Sequence, residues 1–311
     1  MQLRTLKSDG LLLLTAVIWG FAFVAQRVGM DYVGPFTFNG VRFALGSLVL
    51  IPFIWYSRRR NRGTRSNPPE HQSKTLLLAG ILAGSALFTA ASFQQVGLLY
   101  TTAGKAGFIT GLYVVIVPIM GLGLGQRTHA GTWIGALLAA GGMYFLSISE
   151  QLTIAYGDLL QLAGAFIWAA HVLIIGRFSP RVDVLRLAFV QFATCAVLSM
   201  SSAVVLEVIT LSDIVQATIP ILYGGALSVG FAYTLQVVAQ RKAHPAHAAI
   251  LLSLEAVFAA LGGWIMLGEV LTSRGLFGCG LMLSGMLLSQ LWGMLAIHRK
   301  LLFVSAKQPS Q

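Results

Sequence analysis

The chain has 311 residues, 56% of them hydrophobic and only 10% charged, with a mean hydropathy of +0.78. A soluble domain carries about 25% charged residues, so the composition excludes an ordinary water-soluble fold. The net charge of +11 raises nucleic acid as a partner, but the basic residues are placed as a membrane protein places them, and no nucleic-acid role is expected.

A membrane span needs roughly 20 apolar residues. Stretches that fit lie at 10–29, 35–57, 75–97, 101–124, 130–149, 157–176, 184–208, 217–240, 246–267 and 275–297. They are predicted as helices: each run is continuously apolar rather than alternating, and a lone span must satisfy its backbone internally. The first run follows Arg4 and Lys7 as a signal peptide would, but no small-x-small cleavage site follows it. The same segment recurs at 157–176, where it can only be a span.

That recurrence is general. Trp19 in AVIWGFAF matches Trp168 in AFIWAAHV at an offset of 149, without a gap from Asp9/Asp158 to Arg42/Gln191. GKAGFITGLYVVIVP, followed by Leu124–Gln126, matches AHAAILLSLEAVFAAL and its Leu267–Glu269 at an offset of 143. Each copy holds five spans, an odd number, so the copies face opposite ways across the bilayer. The expected architecture is an all-α membrane protein of ten transmembrane helices in two inverted five-helix repeats, 8–149 and 157–297, joined near Glu150–Tyr156. Inverted repeats are the plan of secondary transporters, with the binding site near the midplane between the halves.

With the N-terminus inside, 17 of the 21 Lys and Arg fall on the cytoplasmic side, including the run in 58–74. Only Arg27, Lys105 and Arg274 fall on or near the outer side, and Arg42 lies within a span. The positive-inside rule therefore puts both termini in the cytoplasm, and the basic 58–74 loop becomes an orientation signal in contact with anionic lipid. The compact loops suit a bacterial inner membrane. No G-x-x-x-x-G-K-[ST] occurs, so uphill transport would draw on an ion gradient or a partner. Cys195 and Cys279 both lie in spans and read as small buried side chains, offering neither a disulfide framework nor metal spacing. Nothing calls for a cofactor.

Glycine is placed for close helix approach. Gly107 and Gly111, Gly121 and Gly125, and Gly131 and Gly135 follow the small-xxx-small rule, while Ala248, Glu255, Ala259 and Gly262 share one face of the ninth span.

WGFAF (Trp19–Phe23), PFTFNGVRFALG (Pro35–Gly46) and YTTAGKAGFITGLYVVIVP (Tyr100–Pro118) resemble the first EamA-type repeat of the drug/metabolite transporter superfamily. QRKAHPAHAAILLSLEAVFAALGGWIMLGE (Gln240–Glu269) resembles the second, and the likeness runs over roughly residues 8–295. The resemblance implies a central cavity, with the third, fourth, eighth and ninth helices nearest it and the first, second, sixth and seventh around them. The fifth and tenth helices pack at the side, and the cargo is a metabolite or drug, often moved outward. Two departures stand out. Ala256 follows the glutamate where many relatives have proline, and the first-repeat counterpart of the Leu-Gly-Glu corner ends in Gln126.

Few polar groups fall inside the spans, and ionisable ones there are functional candidates by default. Glu255, about ten residues into the ninth span, is expected to face the cavity and to bind a cationic group of the substrate or take a coupling proton; the competing role is a structural carboxylate bonded to a neighbouring helix. Arg42 is open to snorkelling outward, pairing with Glu255 or binding an anionic group. Lys105 ends at the outer headgroups or reaches the cavity mouth. Gln94 aligns with Gln236 at an offset of 142, and with Gln95 and Gln240 they suit a polar lining or helix-to-helix hydrogen bonds. Trp19, Trp168, Tyr113 and Tyr233 suit stacking or plain packing. His171, and His244 with His247 around Pro245, raise a metal site, but zinc needs three or four ligands, and Pro245 marks a helix start.

Three functions compete. A carrier of a small-molecule substrate is expected first, working by alternating access. A passive channel or lipid scramblase also fits an inverted repeat. An intramembrane enzyme ranks last: HExxH is absent, and Asp9, Asp31, Asp158, Asp183 and Asp213 all map near or outside span ends.

Overall fold

The computed structural model describes residues 2–60, 70–125, 130–147, 154–240, 251–252 and 254–305. Among them every regular element is helical. The chain runs through α1 (Gln2–Gly29), α2 (Pro35–Arg60), α3 (Glu70–Gly97), α4 (Ala103–Gly111), α5 (Tyr113–Gly121) and α6 (Ala130–Ser147). It continues through α7 (Tyr156–Phe178), α8 (Val184–Leu206), α9 (Leu211–Gln216) and α10 (Thr218–Leu222). A π-wound segment, Tyr223–Ala232, leads into α11 (Tyr233–Gln240), followed by α12 (Glu255–Leu267) and α13 (Ser273–Ser305).

Among the described residues seven helical stretches are long and apolar enough to cross a bilayer: Gly10–Gly29, Pro35–Ser57, Ser73–Gly97, Ala103–Leu124, Tyr156–Arg181, Val184–Leu206 and Thr218–Gln236. Ala130–Leu146 and Glu255–Leu267 are apolar but shorter. The side-chain distribution is that of a chain dissolved in lipid. Leu48, Leu78, Leu137, Val204 and Trp264 stand more than half exposed, whereas Gln26, Asn39, Arg42, Gln95, Asp158, Gln161 and Glu255 are buried. In water such an arrangement would leave an untenable apolar surface; in a bilayer it keeps polar groups away from hydrocarbon.

Helix starts follow from their caps. Pro35 opens α2, where its missing N–H costs nothing. The Thr102 hydroxyl accepts the Lys105 N–H at 3.2 Å to start α4, and the Asp183 carboxylate accepts from Leu185 and Arg186 to start α8. Two capping contacts come from a distance. Glu207, just past α8, accepts the N–H groups of Phe36 and Thr37 at the head of α2, both at 2.8 Å. Glu269, past α12, accepts those of Ala103 at 2.7 Å and Gly104 at 3.0 Å at the head of α4. A carboxylate on exposed helix N–H groups is also favoured by the helix dipole.

The pairing of helices has a regular pattern. α1 packs on α12 and on the α10–α11 segment, while α7 packs on the α4–α5 segment and on α3. α2 packs on α8; α2 also meets the π-wound segment, as α8 meets α3. α4 packs on α12 and α6 on α13.

Small residues make the tightest of these contacts. A Cβ on Gly107 would fall 2.4 Å from Ala259 Cβ, and one on Gly20 2.4 Å from Phe258 Cβ. Gly135 and Gly142 of α6 meet the Gly285 and Gly278 carbonyls of α13, each leaving 2.5 Å for a Cβ. The packing role expected for Gly107 and Gly131 is seen, Gly131 lying against Trp292. Gly125 departs from it: nothing lies within 4 Å of its Cβ position, and its φ of +76° ends the helical stretch. Gly268, which follows α12, does the same at φ +65°. Both need glycine for backbone conformation rather than for packing.

Candidate functional site

The helices surround a cavity of 770 Å³. On the first side of the chain's midpoint it is lined by α1 (Trp19, Phe23, Gln26), α2 (Arg42, Phe43), α3 (Leu87, Gln94) and the α4–α5 pair (Thr110, Tyr113). From the second come α7 (Trp168, His171) with Ser179 just past its end, α8 (Gln191, Phe192), the segment from the π winding into α11 (Ser228, Tyr233, Gln236) and Glu255. Among the described residues neither α6 nor α13 contributes to it. Polar groups convergent in a mostly apolar concavity of this size are the usual make-up of a small-molecule site.

Two of the surrounding helical stretches are interrupted beside this space. At Leu112 the N–H bonds Ile109 O, three residues back, at 3.2 Å, and a new helix starts with Tyr113. At Leu254 the N–H bonds Leu251 O at 3.3 Å, and α12 starts with Glu255. The two breaks lie within one residue of each other in the repeat alignment. They bring the Tyr113 hydroxyl within hydrogen-bonding reach of the Glu255 carboxylate. Irregular backbone at such depth is tolerated where it lines a cavity.

Arg42 does not snorkel. It is 4% exposed, its Nε donates to Asn39 Oδ1 at 2.9 Å, and its guanidinium lies 5.5 Å from the Phe38 ring centroid and 4.8 Å from that of Phe43. Asn39 is itself tied to Ala91 O of α3 at 3.1 Å, so the cation is held by α2 and backed by α3. Arg42 and Glu255 are the charged side chains of the lining, and no ion pair joins them.

Gln94 lines the cavity and also ties helices together. Its Nε2 donates to Gln26 Oε1 at 2.8 Å, and its Oε1 accepts from Trp168 Nε1 at 3.1 Å. Gln161 Nε2 donates to Gln94 O at 2.8 Å, Thr110 Oγ1 to Gln161 Oε1 at 3.3 Å, and Gln95 Nε2 to Gln26 O at 3.0 Å. These residues form a polar layer across α1, α3, α4 and α7. The other tryptophan, Trp19, donates to Ser228 O at 3.2 Å. The widened winding of Tyr223–Ala232 places that carbonyl on the cavity side of its helix.

Lys105 stands apart from the lining. Its Nζ lies 3.3 Å from Asp158 Oδ2, at the start of α7, and Asp158 Oδ1 accepts the Thr101 hydroxyl. Gln240 lies outside the residues whose side chains are described, as do His244 and His247. His171 faces the cavity and bonds Gln191 Oε1 at 2.9 Å; among the described residues no three His, Cys, Asp or Glu groups gather to hold a metal. The structure therefore brings Glu255, Arg42, Gln94, Gln236, Tyr113 and Trp19 to one cavity and leaves Lys105 outside it.

Sequence reasoning did not single out Gln26 or Gln191. Gln26 had a signal: Trp19, Phe23 and Gln26 are spaced to share a helical face. Gln191 had one too, as the residue opposite Arg42 in the repeat.

Comparison with known proteins agrees with the architecture. Residues 6–148 and 155–291 each match the EamA-like transporter family. An uncharacterized transporter of Archaeoglobus fulgidus is 34% identical over 93% of this chain and 87% of its own. The uncharacterized inner membrane transporter YedA of Escherichia coli K12 is 25% identical over 85% and 84%. A probable amino-acid metabolite efflux pump of the same organism is 30% identical over 52% of each chain. A solved crystal structure, 19% identical, covers 91% of this chain and 96% of its own with a TM-score of 0.62, a likeness of fold. The chain is a membrane protein, and it belongs to the EamA-like transporter family.

Proposed function

We propose that this chain is a secondary transporter of ten spans, built as inverted repeats over 8–149 and 157–297, that moves a small metabolite or drug-like solute out of the cell by alternating access. The observation that carries the reading is the cavity: eight of the ten proposed spans line it, four from each half, with Arg42 and Glu255 both facing it. Inverted halves around one central site are a common plan for alternating access.

Several features support the halves as inverted copies. The helix pairings keep their pattern when the two halves trade places. The breaks at Leu112 and Leu254, and the left-handed Gly125 and Gly268, recur at matching positions. Orientation rests on charge, which puts the termini and the Arg177, Arg181 and Arg186 end in the cytoplasm. The lining reaches that end at Gly176, Ser179 and Val184. Toward the other end stand the Gln26–Gln94–Gln161 layer, the Lys105–Asp158 pair and the Glu207 and Glu269 caps. This is the arrangement of a carrier loading from inside. The likeness to a probable amino-acid metabolite efflux pump favours a solute carrying both an acidic and a basic group, which Glu255 and Arg42 would meet.

Metabolite export tests the reading. The protein is expressed in a bacterium stripped of known exporters, and compounds accumulating outside are profiled against an empty vector. A specific compound, lost with Glu255→Gln, is the expected result. Glu255→Gln transporting normally with an unchanged pH dependence would remove Glu255 from the transport cycle, and no exported compound would count against outward transport.

A further inference from the structure

Four buried side-chain atoms have no hydrogen-bond partner among the described residues: Ser92 Oγ, Gln95 Oε1, Arg186 Nε and Gln191 Nε2. Only Gln191 lines the cavity. Its side chain is fully buried, and its Oε1 is engaged by His171 Nε2 at 2.9 Å, which fixes the amide and turns Nε2 away from the histidine. The Tyr233 hydroxyl stands within hydrogen-bonding reach of the Gln191 amide but makes no bond of good geometry with Nε2. A buried amide donor left empty is destabilising, and native chains fill such donors with water or with a ligand.

The surroundings are those of a small recognition pocket. Trp168 meets His171 edge-on at 5.7 Å, and Tyr233 meets Phe192 edge-on at 5.4 Å. These rings come from α7, α8 and α11, so the free donor sits among aromatic faces from three helices. The charged residues of the lining, Arg42 and Glu255, lie on other helices, and Arg42 is already held by Asn39.

We propose that Gln191 is a substrate-binding residue: its Nε2 donates to a carbonyl or carboxylate oxygen of the transported solute, and the solute's body rests against Trp168, Phe192 and Tyr233. His171 is the positioning residue that holds the amide. This inference rests on the reading of the cavity as the transport path and adds to it a specificity-determining contact made by an uncharged side chain.

The test uses the full chain in proteoliposomes loaded with a deproteinised extract of bacterial cytoplasm at increasing load, with efflux of each compound followed by mass spectrometry. Gln191→Met keeps length and loses the donor. It is expected to raise the half-saturating load about tenfold, near the worth of one lost hydrogen bond, while the maximal rate stays within about twofold. Gln191→Glu, which offers an acceptor in place of a donor, is expected to raise it further. An unchanged half-saturating load in Gln191→Met would show that the donor meets only water and would overturn the proposal. A fall in maximal rate alone would assign Gln191 to the fold and overturn it equally. If Gln191→Met fails to fold, Gln191→Asn retains the donor on a shorter arm and must show the same shift in load. Wild-type vesicles that release nothing would instead overturn the transport reading itself.

Discussion

Glu207 crosses from the end of α8 to the head of α2, where its Oε2 accepts both the backbone N–H of Thr37 at 2.8 Å and the Thr37 hydroxyl at 2.7 Å. Glu269 makes the same kind of bond to the head of α4, and each joins residues from opposite halves of the chain. A helix capped by its own preceding residue is stabilised locally. One capped by a residue some 170 positions away is also fastened to the element that carries it.

The first prediction follows from that fastening. Glu207→Ala frees two helix N–H groups and is expected to cost about 1–2 kcal/mol, read as a lower thermal unfolding midpoint in detergent. It should also loosen the end of the molecule proposed as external. With Cys195 and Cys279 replaced by alanine and a cysteine at Ser228, a membrane-impermeant maleimide applied outside should label Glu207→Ala faster than its parent. Equal labelling would leave Glu207 a cap and nothing more.

The second prediction concerns α4 and α12, which approach through Gly107 and Ala259. A Cβ on Gly107 would lie 2.4 Å from Ala259 Cβ, closer than two methyl groups can pack. Gly107→Ala should therefore destabilise by about 1–3 kcal/mol, the usual cost of overpacking. Ala259→Gly in the same chain should recover most of it. Failure of the second change to rescue the first would mean that the backbones move apart instead.

Much of this was legible beforehand for a physical reason. Span length and the Trp19/Trp168 repeat follow from the bilayer's thickness and from duplication, and both are written in residue type. Other features depend on geometry that residue type leaves open. Gly125 obeys a packing spacing yet serves a left-handed turn, because glycine is suited to both. Lys105 sat at a span end with two destinations, and the buried Asp158 that holds it is distant in sequence. The π winding over Tyr223–Ala232 is a choice of hydrogen-bond register that GGALSVGFA permits without announcing. Gln191 was a single amide among apolar neighbours, and only the filled half of its hydrogen bonding reveals the empty half.

The third prediction separates the two uses of glycine. Gly268 has φ +65° and open space about its Cβ position, so Gly268→Ala should cost about 1 kcal/mol through backbone strain alone. Gly280, within α13, also has nothing within 4 Å but is helical. Gly280→Ala should be neutral or raise stability by about 0.5–1 kcal/mol, since alanine loses less entropy in a helix. Paired unfolding curves in one detergent decide it, and a loss at both positions would contradict the assignment.

The last prediction concerns the layer that bounds the cavity toward the Glu207 end. Gln94 accepts from Trp168 and donates to Gln26, so one amide joins three helices. Replacing it by leucine leaves the Trp168 indole N–H and Gln26 Oε1 without that partner, but the cavity beside them can supply water. The cost should thus stay near the modest value of interhelical hydrogen bonds in membranes, about 0.6 kcal/mol each. A cycle of Gln26→Leu, Gln94→Leu and the double variant isolates their direct bond, and a coupling of about that size is expected. Coupling well above it would mean that the layer is dry and that its amides are shielded from the cavity. Coupling near zero would mean that water replaces the bond without loss. In the first case opening this end would have to break a costly seal, and in the second the layer would part readily once Glu207 and Glu269 release their helices.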